Sequence, residues 1–204
     1  MAIKLLFKVP RTINLAFSGG VDSLSAAHFL RNNHNITLLH FNHGDEYSNE
    51  IEEQCCQRAE SLSLPIIVEK IKDAPKKGQS IEDFWRRARY RFLRSFENQF
   101  ITVHHIQDAV ETWVTSSLHG QSKLIPAYDE KVLRPFLITE KKDLIEYSER
   151  HNLIPVDDPC NRHMDLTRNY IRANMMEHIY KINPGINKVI RKKYLAMEFD
   201  NVTS

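Results

Sequence analysis

The feature that most constrains this chain is Ser18-Gly19-Gly20-Val21-Asp22-Ser23. It sits between a strand-type run, Ile13 to Phe17, and a helical pattern from Asp22 to Asn32. Two adjacent glycines let a backbone turn tightly and bring its N–H groups against an anion. The start of a helix adds partial positive charge at the same place. Ser18 and Ser23 add hydroxyl donors. The segment therefore predicts a phosphate-gripping loop, with Ala16, Phe17, Ser18, Gly19, Gly20, Asp22 and Ser23 as candidate nucleotide-binding residues. Asp22 would repel a phosphate beside it. A magnesium ion between the two removes that conflict, which makes Asp22 the candidate metal ligand. The plainer alternative is a strand–turn–helix with Ser or Asp as an N-cap. The Gly-Lys-Ser/Thr ending of a Walker loop is missing.

The first half of the chain alternates between two periods. Strands are expected at 36–41, 65–68 and 100–103, and helices at 46–62, 81–96 and 107–118. On the 81–96 helix, Ile81, Phe84, Trp85, Ala88, Phe92 and Phe96 form the expected buried stripe. Such alternation calls for an α/β fold with a parallel sheet covered on both faces, and ligands bind such sheets at the carboxyl ends of their strands. Further helices are expected at 140–151, at 166–180 and from Pro184-Gly185 to about Met197. The simplest partition is a catalytic domain over residues 1–160 and a basic helical C-terminal extension over 161–204.

Composition limits the alternatives. No apolar run reaches the roughly 18 residues needed to cross a bilayer, and Met1 to Pro10 shows no signal-peptide pattern, so no membrane partner and a cytoplasmic location are expected. Cys55, Cys56 and Cys160 include no Cys-x-x-Cys pair, which gives a zinc or iron–sulfur site little support. The overall charge of +2 hides an asymmetry: residues 161–204 carry eight Lys or Arg against four Asp or Glu. That end is fit to contact a polyanion, with Lys188, Arg191, Lys192 and Lys193 as candidate contacts.

Other constellations carry chemistry. His104, Asp108 and Glu111 are spaced to share one face if their helix begins early enough. Their carboxylates are candidates to bind an ammonium, to help hold metal or to act as a base. Among the arginines of 86–94, Arg86 or Arg89 is expected to turn toward pyrophosphate or RNA phosphate, where a planar fork takes two oxygens. His40, Asn42 and His43 follow the second strand, at the sheet end where ligands bind. Each of these also has a plainer reading, as solvated charge, cap or strand-end turn.

The loop resembles that of the PP-loop ATP pyrophosphatases, and further motifs resemble one branch, the tRNA(Ile)-lysidine synthetases. Those motifs are His40-Phe41-Asn42-His43-Gly44, the Glu82 to Tyr90 helix, His104 to Thr112, Arg134-Pro135-Phe136, Asp157 to Asn161 and Arg168-Asn169-Tyr170-Ile171-Arg172. They run in order from about residue 13 to 180. The resemblance implies a three-layer, adenine-nucleotide α-hydrolase-like (PP-loop) fold with a parallel sheet and a helical C-terminal extension. It also implies that ATP adenylates the C2 oxygen of cytidine 34 in a CAU anticodon and that the ε-amine of lysine then displaces AMP. Expected ligands are ATP and Mg2+, and expected partners are tRNA, through its anticodon region, and L-lysine. A homodimer is left open.

In this reading Asp22, Arg89, His104, Asp108 and Glu111 are catalytic. His40, Asn42, Arg168 and Arg172 join the loop in holding the nucleotide. The chain departs from the family pattern in Gln107, where an aspartate is usual, in Ala109, where Gln is usual, and in its length, which suggests a minimal version lacking C-terminal domains. Alternatives are a PP-loop enzyme on another acceptor, such as an amide synthetase or a tRNA thiolase, and a non-catalytic nucleotide-binding module.

Overall fold

Strand residues with apolar side chains on both sides must be covered on both faces, and the fold meets that demand with a central sheet. The computed structural model describes residues 2–75, 77–157, 170–197 and 199. In chain order it runs β1 (Thr12–Ala16), α1 (Val21–Leu30), β2 (Asn35–Asn42), α2 (Ser48–Ser61), β3 (Ile66–Lys70), α3 (Ile81–Arg94), β4 (Phe100–Ile101), α4 (Ile106–Leu118) and β5 (Val132–Leu133). A 3-10 turn (Pro135–Ile138), α5 (Lys141–Arg150), a π turn (Ile171–Met175), α6 (Met176–Ile182) and α7 (Ile186–Leu195) follow.

The five strands lie in the order β3-β2-β1-β4-β5 and every named pair is parallel. The chain leaves β1 toward β2 and β3, then crosses back through α3 to place β4 on the other side of β1. That reversal opens a crevice beyond the carboxyl end of β1. The expected parallel α/β sheet is thus present. β4 is shorter than expected, and β5 is an added two-residue strand whose sequence shows too little period to announce it.

Alternation along the strands sorts the core. Ile13, Leu15, Ile36 and Leu38 face α1, α2 and α5 through Leu24, Ala27, Cys55, Ala59 and Leu144. Leu39, Phe41, Phe100 and Val132 face α3 through Phe92 and Leu93. The expected α3 stripe holds only in its second half. Phe92 is buried, whereas Ile81 is 49% exposed and Trp85 lines a cavity. The helix begins beyond the sheet, so its first turns have no strand beneath them.

The C-terminal helices add a second core. Ile186, Ile190 and Tyr194 of α7 pack with Met176 of α6 and Ile171 against Ile106, Val110 and Val114 of α4 and Leu137 of the 3-10 turn. Tyr194 is fully buried and its hydroxyl donates to the Ile125 carbonyl at 2.8 Å. Arg191, expected to contact a polyanion, turns inward instead, because Glu140 Oε1 at 3.0 Å and the Ile138 carbonyl at 3.2 Å accept from its guanidinium. Tyr194→Ala is expected to cost about 3–5 kcal/mol, in line with aromatic truncation in packed cores. Urea denaturation checks this, and loss of less than about 1 kcal/mol would show that α7 does not depend on the contact.

Candidate active site

A cavity of about 260 Å³ opens at the carboxyl ends of the central strands. Ala16, Phe17, Ser18, Asp22 and Ser23 line it from the loop after β1. His40, Asn42 and His43 line it from the end of β2, Thr102 and His104 from the end of β4, and Trp85, Arg86, Arg89 and Tyr90 from α3.

The loop owes its shape to Gly19. Its φ of +74° is a left-handed conformation that side chains rarely adopt. A β-carbon there would lie 2.6 Å from Val156 Cγ2 and 2.9 Å from Cys55 Sγ. The Gly19 carbonyl accepts from the Val156 N–H at 3.0 Å, so a segment far along the chain clamps the turn. Gly20 then caps α1 in extended conformation, without a side-chain cap bond. Ser18 and Ser23 stand with their hydroxyl oxygens 3.2 Å apart. Ser23 Oγ also accepts from the Ser18 N–H at 3.3 Å and donates to the Gly20 carbonyl at 3.2 Å. These bonds hold the loop in register. Gly19 and Gly20 shape it without lining the cavity.

Asp22 has a divided environment. Its Oδ2 accepts from Lys141 Nζ at 2.6 Å, while its Oδ1 is buried without a hydrogen-bond partner. A buried, unpaired carboxylate oxygen is costly, and a cation is what it lacks. No group of three or more His, Cys, Asp or Glu among the described residues is arranged to hold a metal ion by itself. The donor set therefore suits magnesium, which keeps waters and joins one carboxylate with substrate phosphates, better than an all-protein cage.

His40 is buried, and its Nδ1–H donates to the Phe17 carbonyl at 2.9 Å, tying the ends of β1 and β2. Asn42 directs its amide into its own connection: Nδ2 donates to Glu52 Oε2 at 2.6 Å and Asn49 Oδ1 at 3.2 Å, and Oδ1 accepts from the Gly44 N–H at 2.8 Å. It holds the β2–α2 turn. On α3, Arg87 and Arg94 are engaged by Asp83 and Asp129, whereas Arg86, stacked over the Tyr90 ring, and Arg89 face the cavity.

Helix α4 begins at Ile106, too late to include His104. His104 stands on the connection, with Nδ1 3.1 Å from Thr102 Oγ1, and lines the cavity. The shared helical face holds Asp108 and Glu111 alone. His105, which the sequence reading passed over, is the N-cap. Its Nδ1 accepts from the Asp108 N–H at 3.3 Å, and Asp108 Oδ2 accepts from the His105 N–H at 3.0 Å. The spacing from N-cap to N3 was the available signal.

Arg172 meets this face: its Nε donates to Glu111 Oε2 at 2.8 Å and its Nη2 lies 3.5 Å from Asp108 Oδ1. These three residues do not line the cavity. They form a charged cluster beside it, with Arg172 arriving from the π turn. Burial pushes the Asp108 carboxyl up, but His105, His104, the His105 N–H and Arg172 outweigh it and hold it below the ordinary carboxylate range. Burial lowers the His105 imidazole despite Asp108, which keeps it neutral. Arg168, Asp158, Cys160, Asn161 and Asn169 lie outside the described residues.

A PP-loop domain model matches residues 2–179. The chain belongs to the PP-loop domain family. It is 30% identical over 195 residues to a tRNA(Ile)-lysidine synthase of Coxiella burnetii, covering 87% of this chain and 43% of that protein. It is 31% identical over 192 residues to a tRNA(Ile)-lysidine synthase of Persephonella marina, covering 85% of this chain and 42% of that protein. The chain thus spans less than half the length of these relatives. The structure of NMN synthetase from Francisella tularensis shares the fold, with a TM-score of 0.52 at 11% identity, covering 93% of this chain and 89% of that one. No helix among the described residues is long and apolar enough to cross a membrane.

Two outcomes test this PP-loop site. Gly19→Ala should lose about 2–4 kcal/mol from positive-φ strain and overpacking, and adding Val156→Ala should recover part of it in chemical denaturation. His43 is lowered to about 4 by burial and by Arg89. Its unfolded value is near 6.5, so the unfolded chain binds the extra proton between these limits. Stability should therefore fall as pH drops from 6.5 toward 4, by up to about 1.4 kcal/mol per unit. His43→Asn should flatten that slope, and an unchanged slope would show that His43 is not buried neutral.

Proposed function

We propose that this chain is the adenylating part of a tRNA-modifying ligase that forms lysidine. The observation that carries the reading is the nearness, at the carboxyl end of the sheet, of the PP-loop and Arg89, which line one cavity, and the Asp108–Glu111 carboxylate pair beside it. The relatives named tRNA(Ile)-lysidine synthase support the choice of reaction.

In this reading the triphosphate of ATP lies against the loop amides and the α1 N-terminus, with adenosine toward the ends of β1 and β2. Asp22 would hold magnesium through its unpartnered oxygen, and the ion supplies charge neutralisation between the phosphates. The C2 oxygen of cytidine 34 attacks the α-phosphorus, an O–P bond forms and pyrophosphate leaves. Arg89 is placed to offset the charge that builds there. The lysine ε-amine then attacks C2, the C–O bond to AMP breaks, and the amine proton is released.

Asp108 and Glu111 hold the ammonium end of lysine before that step. Asp108 remains a carboxylate because its acidity is enhanced, so it acts as an electrostatic partner and is poorly suited to be the base. Arg172 now occupies this pair, and an arriving ammonium takes over part of its hydrogen bonding. Arg168, carried by the resemblance alone, and the basic extension over 161–204 would add contacts to the triphosphate and the RNA. Tyr170, within that extension, is 62% exposed. ATP, Mg2+, L-lysine and the anticodon region of tRNA are the proposed ligands.

The test combines labelled ATP, labelled lysine and an unmodified CAU-anticodon transcript. Lysine joined to RNA, with AMP and pyrophosphate released, is expected. Asp22→Ala should abolish AMP formation with the fold intact. Asp108→Ala or Glu111→Ala should raise the apparent KM for lysine at least tenfold while moving that for ATP less. Pyrophosphate release without lysine transfer would point to another acceptor.

A further inference from the structure

Lys141 opens α5, beside a second lysine at 142. The structure sets it beside the site, against Asp22 of the cavity wall. Its ammonium lies 2.6 Å from Asp22 Oδ2, across 119 residues of chain. Its own N–H donates to Gln107 Oε1 at 3.0 Å, which fastens the first residue of α5 to the second residue of α4. The adjacent carboxylate of Glu140 is already held by Arg191 at 3.0 Å and Lys142 at 3.2 Å. Asp22 is thus the acidic group to which Lys141 is committed.

The pair contributes little to stability. Both side chains are about a third exposed, and ion pairs so placed gain roughly 0–1 kcal/mol. Its consequence lies in position. Asp22, Ser18 and Ser23 line one wall of the cavity, so the ammonium is stored next to the loop that grips phosphate. An ammonium is a compact charge with three donors, well suited to phosphate oxygens.

Resting on the ATP reading above, we propose that Lys141 is a phosphate ligand for the nucleotide, held on Asp22 until the triphosphate arrives, and that Gln107 is its positioning residue. A triphosphate carries several negative charges and outcompetes one carboxylate for the ammonium. Once Lys141 moves, both Asp22 oxygens are open to a cation. Lysine and metal are therefore linked through one side chain: what Asp22 gives up to the phosphates on one side, it gains on the other. Gln107 fits this arrangement because it accepts the Lys141 N–H without charge.

The experiment is equilibrium binding by the full chain, in Mg2+ and in EDTA, with ATP, adenosine and inorganic pyrophosphate as separate probes. Lys141→Ala should weaken ATP and pyrophosphate about ten- to hundredfold, the range of a lost charged hydrogen bond, and leave adenosine unchanged. Lys141→Arg should restore most of the affinity. Gln107→Ala should weaken ATP severalfold at unchanged adenosine affinity and unchanged Tm. In EDTA, Asp22→Asn should tighten ATP, because the competitor for Lys141 is gone, and Lys141→Ala in that background should cancel the gain. Lys141→Met serves if the alanine variant unfolds.

Equal ATP binding by wild type and Lys141→Ala would overturn the assignment. So would parallel loss of ATP and adenosine, which marks a structural role. Wild-type affinity in Gln107→Ala would overturn the positioning role. A wild-type chain that binds neither ATP nor adenosine would instead defeat the reading beneath the inference.

Discussion

The left-handed turn at Gly19 is the constraint on which the site depends. Its φ of +74° swings the backbone off β1 and into α1 within a few residues, and Val156 and Cys55 close over the space a side chain would need. The bond from the Val156 N–H to the Gly19 carbonyl locks the turn from outside. The loop is therefore preorganised by its own sequence and by a clamp from the far end of the domain. Preorganised amides cost no reorientation when an anion arrives.

The sheet order gives that turn its surroundings. With β2 on one side of β1 and β4 on the other, the connections after all three strands converge on one crevice. Each contributes a different chemistry: loop hydroxyls and Asp22 after β1, the imidazoles of His40 and His43 at the end of β2, and a histidine leading into an acidic helix after β4. Helix α3 closes the open side with arginines and aromatic rings because its first turns project past the sheet. The same displacement explains why half of its apolar stripe lies outside the core.

Much of this was legible in the sequence, for a physical reason. A phosphate loop is local. Gly19, Gly20 and the hydroxyls of Ser18 and Ser23 act on neighbours, and strand and helix periods place them at a strand end. Asp108 and Glu111 are also local, set by helical spacing. Contacts between distant segments leave no such mark. Nothing in the lysine pair at 141 and 142 reveals that one of them reaches Asp22, or that Arg191 turns inward to Glu140 while its neighbours stay exposed. The register of α4 lay between these cases: a start one residue later than His105 separates His104 from the acidic face and makes His105 the cap. Asn42 lines the cavity, yet its amide bonds within its own connection, which spacing alone does not reveal.

Charge distribution ties these observations together. The site contains two carboxylate stations, each already holding a cation from elsewhere in the chain: Asp22 with Lys141, and the Asp108–Glu111 pair with Arg172. Without those cations the carboxylates would repel the polyanionic substrates proposed above. With them, each carboxylate is offset by a cation from elsewhere in the chain. In the function proposed above, an incoming phosphate would draw on the lysine and an incoming ammonium on the carboxylates. Two such stations would suit a reaction in which a triphosphate and an amine are held apart until one has activated the acceptor for the other.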